Sequence, residues 1–280
     1  MLPQKFEKRY LFQGNLTLQT GLHIGGRDTI FSPSEHPVIR TPDGQPFIPG
    51  SSFKGAFRST VEKLAPNIAA VWSCGLDKED GCIGPQGDAQ KKFDKSRDPK
   101  WSDNELLSKL EKRLCHTCKL FGSPYAASKI NFADLYLTEE YIDGIIQIRD
   151  GVAIDRDSER PVKNRLFEYE VVAPSLSFNL EILLEDPTDV DLGLTCLGLS
   201  EFTGGFGYLG GKRSRGLGQT KLENLQIFAL DLSNPATRSD KLLKYLIHSD
   251  VDKKMDRESD PVKFINKAVT NLLKMEAAHA

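Results

Sequence analysis

Apolar and polar residues alternate near the start of the chain. In residues 10–20, YLFQGNLTLQT, Leu16 and Leu18 fall on one face and Asn15, Thr17 and Gln19 on the other, the period of a strand. A long polar, turn-rich stretch follows. Then Phe53, Phe57, Val61 and Leu64 recur at helical spacing until Pro66 stops the pattern. Ser51 and Ser52, just after Pro49 and Gly50, supply a candidate N-cap for that helix, and Lys54 and Arg58 lie one turn apart on a shared face. Residues 83–113 are dominated by Lys, Asp, Gly and Gln around the periodic run 104–114, which predicts a solvated insertion closing with a short helix. Strand-like runs at 129–137, 145–154, 166–172 and 176–185 predict an antiparallel middle, with Ala173-Pro174-Ser175 joining the last two as a hairpin. Residues 190–202 read as a buried helix despite two glycines, and 220–230 as a closing strand. Beyond 231 the chain becomes a charged tail with amphipathic helices over 240–248 and 261–277, whose simplest role is packing on the core. Strands first and last, helices between and no regular strand–helix alternation predict an α+β fold.

Composition narrows the partners. With 39% hydrophobic and 27% charged residues in 280, the chain has the make-up of a globular protein with a substantial core. No apolar run approaches the roughly 18 residues of a membrane span, and the start lacks the apolar segment of a signal peptide, so the expectation is a cytoplasmic protein with no membrane partner. A net charge of −2 advertises no nucleic acid globally; any such site must be a local patch.

Three stretches carry candidate chemistry. The glycine-rich run 203–221, TGGFGYLGGKRSRGLGQTK, places Lys212, Arg213, Arg215 and Lys221 together without an acid, beside glycines such as Gly210 and Gly211 that permit close backbone approach. That combination suits phosphates, although a glycine-bearing hairpin with solvated charges explains it equally well. Neither this run nor GSSFK at 50–54 has the spacing of a nucleotide-binding loop, which argues against ATP. Four of the five cysteines form two clusters, Cys74 with Cys82 and Cys115 with Cys118 in CHTC, a pattern for a tetrahedral zinc site. His116 or His23 is an alternative ligand, and reduced buried thiols or a redox pair are the competing readings. Cys196 reads as a small core residue. The opening loop holds Asp28, Glu35 and His36, groups that bind Mg²⁺ or move protons during phosphodiester cleavage, yet such groups are common in surface loops.

Five segments, in order, resemble one family: TGLHIGG at 20–26, PVIRTPDGQPFIPGSSFKGAFR at 37–58, CHTCKLFGSPYAASKINFADLYL at 115–137, GVAIDRDSERPVKNRLFEYEVV at 151–172 and GGFGYLGGKRSRGLGQTKLENL at 204–225. They are similar to the RAMP superfamily, specifically the backbone subunit of type III CRISPR effector complexes. The resemblance implies an RRM-like, ferredoxin-related domain over 1–230, interrupted by a zinc-stapled insertion at 67–120 and a β-hairpin thumb at about 145–170, with 231–280 as a helical C-terminal extension outside the pattern. It implies guide RNA, complementary target RNA and other effector subunits, including neighbouring RAMP subunits, as partners. Ser51, Ser52, Lys54, Arg58, Gly210, Gly211, Lys212, Arg213 and Arg215 would hold the guide backbone while base pairing reads sequence. Val152, Ile154 and Leu166 are wedge or hairpin candidates on the thumb, or simply strand core. Cys74, Cys82, Cys115 and Cys118 match the family's structural Zn²⁺ site. Active members carry an aspartate two residues before the proline of the PVI segment, required for target-RNA cleavage with Mg²⁺ or Mn²⁺. Here Glu35 stands there, one methylene longer. The substitution leaves three outcomes: cleavage through Glu35, cleavage through Asp28, or a non-catalytic RNA-binding scaffold. Processing of the guide precursor, a third activity within the superfamily, fits the CHTC cluster and PVIR loop poorly.

Overall fold

The computed structural model describes residues 6–26, 34–75, 82, 101–139, 144–157 and 159–275. It is an α+β protein built on one antiparallel sheet. Strand β1 (Lys8–Leu18) leads through the opening loop to helix α1 (Gly50–Leu64), which a 3-10 turn at 65–67 ends. Helices α2 (Asp103–Arg113) and α3 (His116–Phe121) precede the short strand β2 (Ile130–Phe132). Strands β3 (Ile146–Ile154) and β4 (Pro161–Val172) form a separate two-stranded hairpin. The chain then re-enters the main sheet as β5 (Ser177–Glu185), crosses it as α4 (Asp189–Thr203), and adds β6 (Gly207–Tyr208) and β7 (Gln219–Asp231). The extension holds α5 (Pro235–Ile247), α6 (Val251–Lys254), β8 (Asp256–Arg257) and α7 (Pro261–Lys274). The sheet order is β2-β5-β1-β7-β6, with β8 also on β7.

Sequence explains the layers. On the inner face of the sheet, Phe12, Leu16 and Leu18 of β1 align with Phe178, Leu180, Ile182 and Leu184 of β5, all buried. Against them pack Phe53, Phe57 and Val61 of α1 and Leu194, Leu199 and Phe202 of α4. The Phe53 and Phe202 rings approach to 5.1 Å between centroids, and Phe57 stacks on Phe202 at 5.8 Å. The two glycines of α4 are what let this layer close: a Cβ at Gly198 would run into the Phe57 ring, and one at Gly193 would press on Leu272 of α7. The outer sheet face carries Leu11, Phe228, Leu230 and Leu232, covered by Met255, Tyr245 and Val251 of the extension. Helix α7 returns to the opposite layer and buries Ile265 and Leu272 beside α4.

Two expectations change. Ser51 and Ser52 do not cap α1; the helix begins at Gly50 after Pro49, and the Gly50 N–H donates instead to the Asp134 carboxylate at 2.7 Å. Nor do the runs 166–172 and 176–185 form a hairpin. β4 pairs with β3, and the Ala-Pro-Ser turn carries the chain from that hairpin into the main sheet, where β5 joins β1 and β2. A turn signal marks a reversal and does not choose the partner strand. Among the described residues, no helix is long and apolar enough to cross a membrane.

Candidate functional site

The opening loop is tied down on two sides. After β1, Leu22 exchanges backbone hydrogen bonds with Val172 at the root of the β3–β4 hairpin, 3.0 and 2.8 Å. Further on, the Gly26 N–H donates to the Pro37 carbonyl and the Ile39 N–H to the Ile24 carbonyl, both at 2.9 Å, so the two ends of the loop close on each other. Residue 36 lies alongside Tyr169, with the Glu170 N–H donating to the His36 carbonyl at 3.0 Å. Glu35 therefore stands exposed beside a firmly anchored stretch of backbone. The His36 ring meets Phe167 edge-on at 5.9 Å. Asp28, the second expected acid, lies outside the described residues.

One buried side chain organises this junction, and sequence reading missed it. Glu170 is fully buried in β4. Its Oε2 accepts from the Val38 N–H at 2.9 Å and pairs with Arg40 at 2.8 Å. Its carbonyl accepts from His23 Nδ1 at 2.7 Å. Local pattern could not have found it, because both side-chain partners sit about 130 positions away in sequence.

The glycine-rich loop closes the third side. The Gly211 N–H donates to the His23 carbonyl at 2.9 Å, and Gly210, at φ +69°, lies so close to that carbonyl that no Cβ would fit. Lys212 adopts a left-handed conformation, φ 57°, and sets its Nζ 4.3 Å from the Tyr169 ring centroid and 5.0 Å from that of Phe167. Arg213 and Arg215 are exposed, with Arg213 Nε donating to the Gly210 carbonyl at 3.0 Å. Glu35, His36, Lys212 and the hairpin root thus belong to one assembly of four stretches of chain, 20–26, 34–40, the root of the β3–β4 hairpin and the glycine-rich loop. The hairpin beyond it exposes Ile148 and Val152. The side chains of Ile154 and Leu166 lie outside the described ones.

The α1 cations are placed differently. Ser51 is exposed and Ser52 half-buried in the first turn. Lys54 Nζ donates to Ser128 Oγ at 3.2 Å, and burial, with the Arg58 charge beside it, lowers its pKa. Arg58 turns inward: Nε bonds Glu62 at 2.7 Å and a terminal nitrogen reaches Cys118 Sγ at 3.4 Å. Burial disfavours its charge, but the Glu62 hydrogen bond and charge outweigh that and raise its pKa.

The sulfur that Arg58 touches belongs to a compact group. Cys74, Cys82, Cys115 and Cys118 place their Sγ atoms within 4.8 Å of one another. The Cys74–Cys118, Cys74–Cys82 and Cys82–Cys115 separations are 3.7, 3.5 and 3.6 Å. Four sulfurs about 2.3 Å from a common ion in a tetrahedron are about 3.8 Å apart, so the group can hold a metal ion. Hydrogen bonds from Cys118 and Cys82 hold the Cys115 thiol far below the ordinary thiol range, while their bonds to Cys115 push Cys118 up and Cys82 to about 12. Only Cys115 is eased toward thiolate; a cation among the sulfurs would supply the charge that ionises the others. Neither histidine alternative is part of the group: His116 Nδ1 accepts from the Trp72 N–H at 3.0 Å, and His23 belongs to the Glu170 junction.

An α+β sheet domain with an anchored acidic loop, a cationic glycine loop and a four-cysteine cluster is the setting in which the comparisons fall. The RAMP superfamily model matches residues 15–221, well over half of the chain, and the chain belongs to that superfamily. Relatives named "CRISPR system Cms endoribonuclease Csm3" align along most of it. The protein from Methanothermobacter thermautotrophicus is 28% identical over 232 residues, 80% of this chain and 87% of its own. That from Streptococcus thermophilus is 27% identical over 77% of this chain and 87% of its own, and that from Methanocaldococcus jannaschii 27% identical over 78% and 80%.

Proposed function

We propose that this chain is a backbone subunit of a type III CRISPR ribonucleoprotein, acting in the cytoplasm, that binds guide RNA, organises the guide–target duplex and cleaves the target RNA. The observation that carries the reading is the convergence of an exposed acid, a projecting hairpin and a cationic loop on one junction, in a chain of this superfamily whose relatives are named endoribonucleases. The strand order β2-β5-β1-β7 with α1 and α4 as crossovers supports an RRM-like, ferredoxin-related core. The β3–β4 hairpin then serves as the thumb, offering Ile148 and Val152 to a displaced nucleotide. Lys212, Arg213 and Arg215 hold RNA backbone, with Lys54 and the α1 N-terminus as a second contact. Arg58 is engaged by Glu62 and Cys118, so its contribution is to join α1 to the cysteine cluster. Structural Zn²⁺ held by the four cysteines fits the sulfur spacing; a closed site of four protein ligands staples and does not catalyse.

In the cleavage step the RNA's own 2′-hydroxyl attacks the adjacent phosphorus. A 2′-O–P bond forms, the P–O5′ bond breaks, and the products end in a 2′,3′-cyclic phosphate and a 5′-hydroxyl. Glu35, or Asp28 in its place, would receive the 2′-hydroxyl proton while water protonates the departing O5′, and a divalent ion, Mg²⁺ or Mn²⁺, held by these acids would stabilise charge on the phosphate. The anchored backbone that follows it, residues 36–39, limits how far the longer Glu35 side chain must search. A scaffold that never cuts is the less favoured reading. The test is the product pattern of the assembled complex on a guide-complementary RNA: a ladder of regularly spaced fragments supports the assignment, a single cut per guide repeat in precursor RNA points to guide processing, and an intact target to a scaffold.

A further inference from the structure

We infer that Glu170 is a positioning residue for the cleavage site, a buried clamp that fixes the Glu35 loop to the root of the β3–β4 hairpin; this rests on the reading of Glu35 as the cleavage acid. Three observations lead to it. First, the carboxylate bridges two elements that the sequence keeps far apart, accepting from the Val38 N–H at 2.9 Å and pairing with Arg40 at 2.8 Å. Both partners lie within five residues of Glu35. Second, the backbone of the same residue grips the 34–40 stretch again and reaches the 20–26 stretch directly and the cationic loop through it. Its N–H donates to the His36 carbonyl at 3.0 Å, and its carbonyl accepts from the His23 ring, whose own carbonyl receives the Gly211 N–H of the cationic loop. Third, stability alone does not explain the choice of a glutamate. The side chain is 1% exposed, and Oε1 has no hydrogen-bond partner among the described residues. A buried carboxylate with one oxygen unpaired costs folding free energy that an apolar residue of similar volume would not. What the carboxylate supplies is directional: it fixes where residue 38 sits relative to β4, and hence where Glu35 sits relative to the strand that carries the hairpin.

The inference separates reach from charge. Glu170→Asp keeps the charge but withdraws the oxygens by one methylene from the Val38 N–H. Glu170→Gln keeps the length and one acceptor oxygen. In the assembled complex with guide RNA, the Asp variant is expected to cleave target roughly ten- to a hundredfold more slowly in a single turnover, the loss expected of a displacement near 1 Å. Target affinity should stay close to wild type, the melting temperature should fall without loss of assembly, and the Gln variant should recover most of the rate. Amide hydrogen exchange supplies a readout independent of cleavage: the Val38 amide should exchange at least about tenfold faster in the Asp variant and remain protected in the Gln variant. Wild-type cleavage and Val38 protection in the Asp variant would overturn the inference. So would a parallel loss of rate, affinity and melting temperature in both variants, because that marks a merely structural residue. If wild type yields no fragments that depend on Glu35, the nuclease reading fails while exchange at Val38 still decides whether the clamp exists.

Discussion

Burial lowers the pKa of His23. Its hydrogen bond to the Glu170 carbonyl acts the other way, and the nearby Lys212 charge adds to the lowering. An unfolded histidine titrates near 6.5, so between that value and the lower folded value the unfolded chain binds more protons, and stability rises with pH across that window. Melting temperature should therefore fall as pH drops below about 6.5, and His23→Gln should flatten that part of the curve. The opposite slope, or no change in the variant, would remove His23 as its source. At the same scale, Gly198→Ala should destabilise by about 1–3 kcal/mol in chemical denaturation, because the added methyl meets the Phe57 ring. Single residues were the least legible part of the sequence. The Phe53–Phe57 repeat announced a buried helix face, yet nothing near Gly198 says that Phe57 needs its space. Nothing near Glu170 names Val38 or Arg40.

Elements were more legible, because their signal is local. The alternation in β1, the helical repeat in α1 and the runs that became β3, β4, β5 and β7 all stand where period and turn residues put them, with ends shifted by a few residues. What period could not supply was pairing: the hairpin is β3–β4, and β4 and β5 part company at Ala-Pro-Ser. That hairpin carries a prediction of its own. Ile148 and Val152 are exposed, so Ile148→Ser with Val152→Ser should leave stability within about 1 kcal/mol while reducing regular target cleavage. A large loss of stability would show that these residues belong to the core. The glycine-rich loop makes the electrostatic counterpart. Replacing Lys212, Arg213 and Arg215 by alanine should weaken binding of guide RNA of any sequence and lower the slope of log affinity against log salt by about 2, at roughly 0.7 per single-strand phosphate contact. Sequence-selective loss would count against backbone contacts.

At the scale of the whole molecule, the architecture gathers remote segments into two centres. One joins residues 20–26, 34–40, the hairpin root and the glycine-rich loop; the other joins Cys74 and Cys82 to Cys115 and Cys118. The cysteine pattern was readable because C-x2-C has few other uses, while the junction was readable only as separate motifs whose meeting needed the fold. Arg58 ties the cysteine centre back to α1, so Cys115→Ser with Cys118→Ser should remove about one zinc per chain in elemental analysis and lower the melting temperature. A metal-free wild type of full stability would contradict the staple. The central claim is cleavage by this chain, and the most direct measurement is the cutting of a guide-complementary RNA by the assembled complex with Mg²⁺ or Mn²⁺, comparing wild type with Glu35→Ala and Asp28→Ala. The account predicts a fragment ladder in wild type that Glu35→Ala abolishes while target binding persists; an intact target in wild type, or a ladder untouched by either substitution, would contradict it.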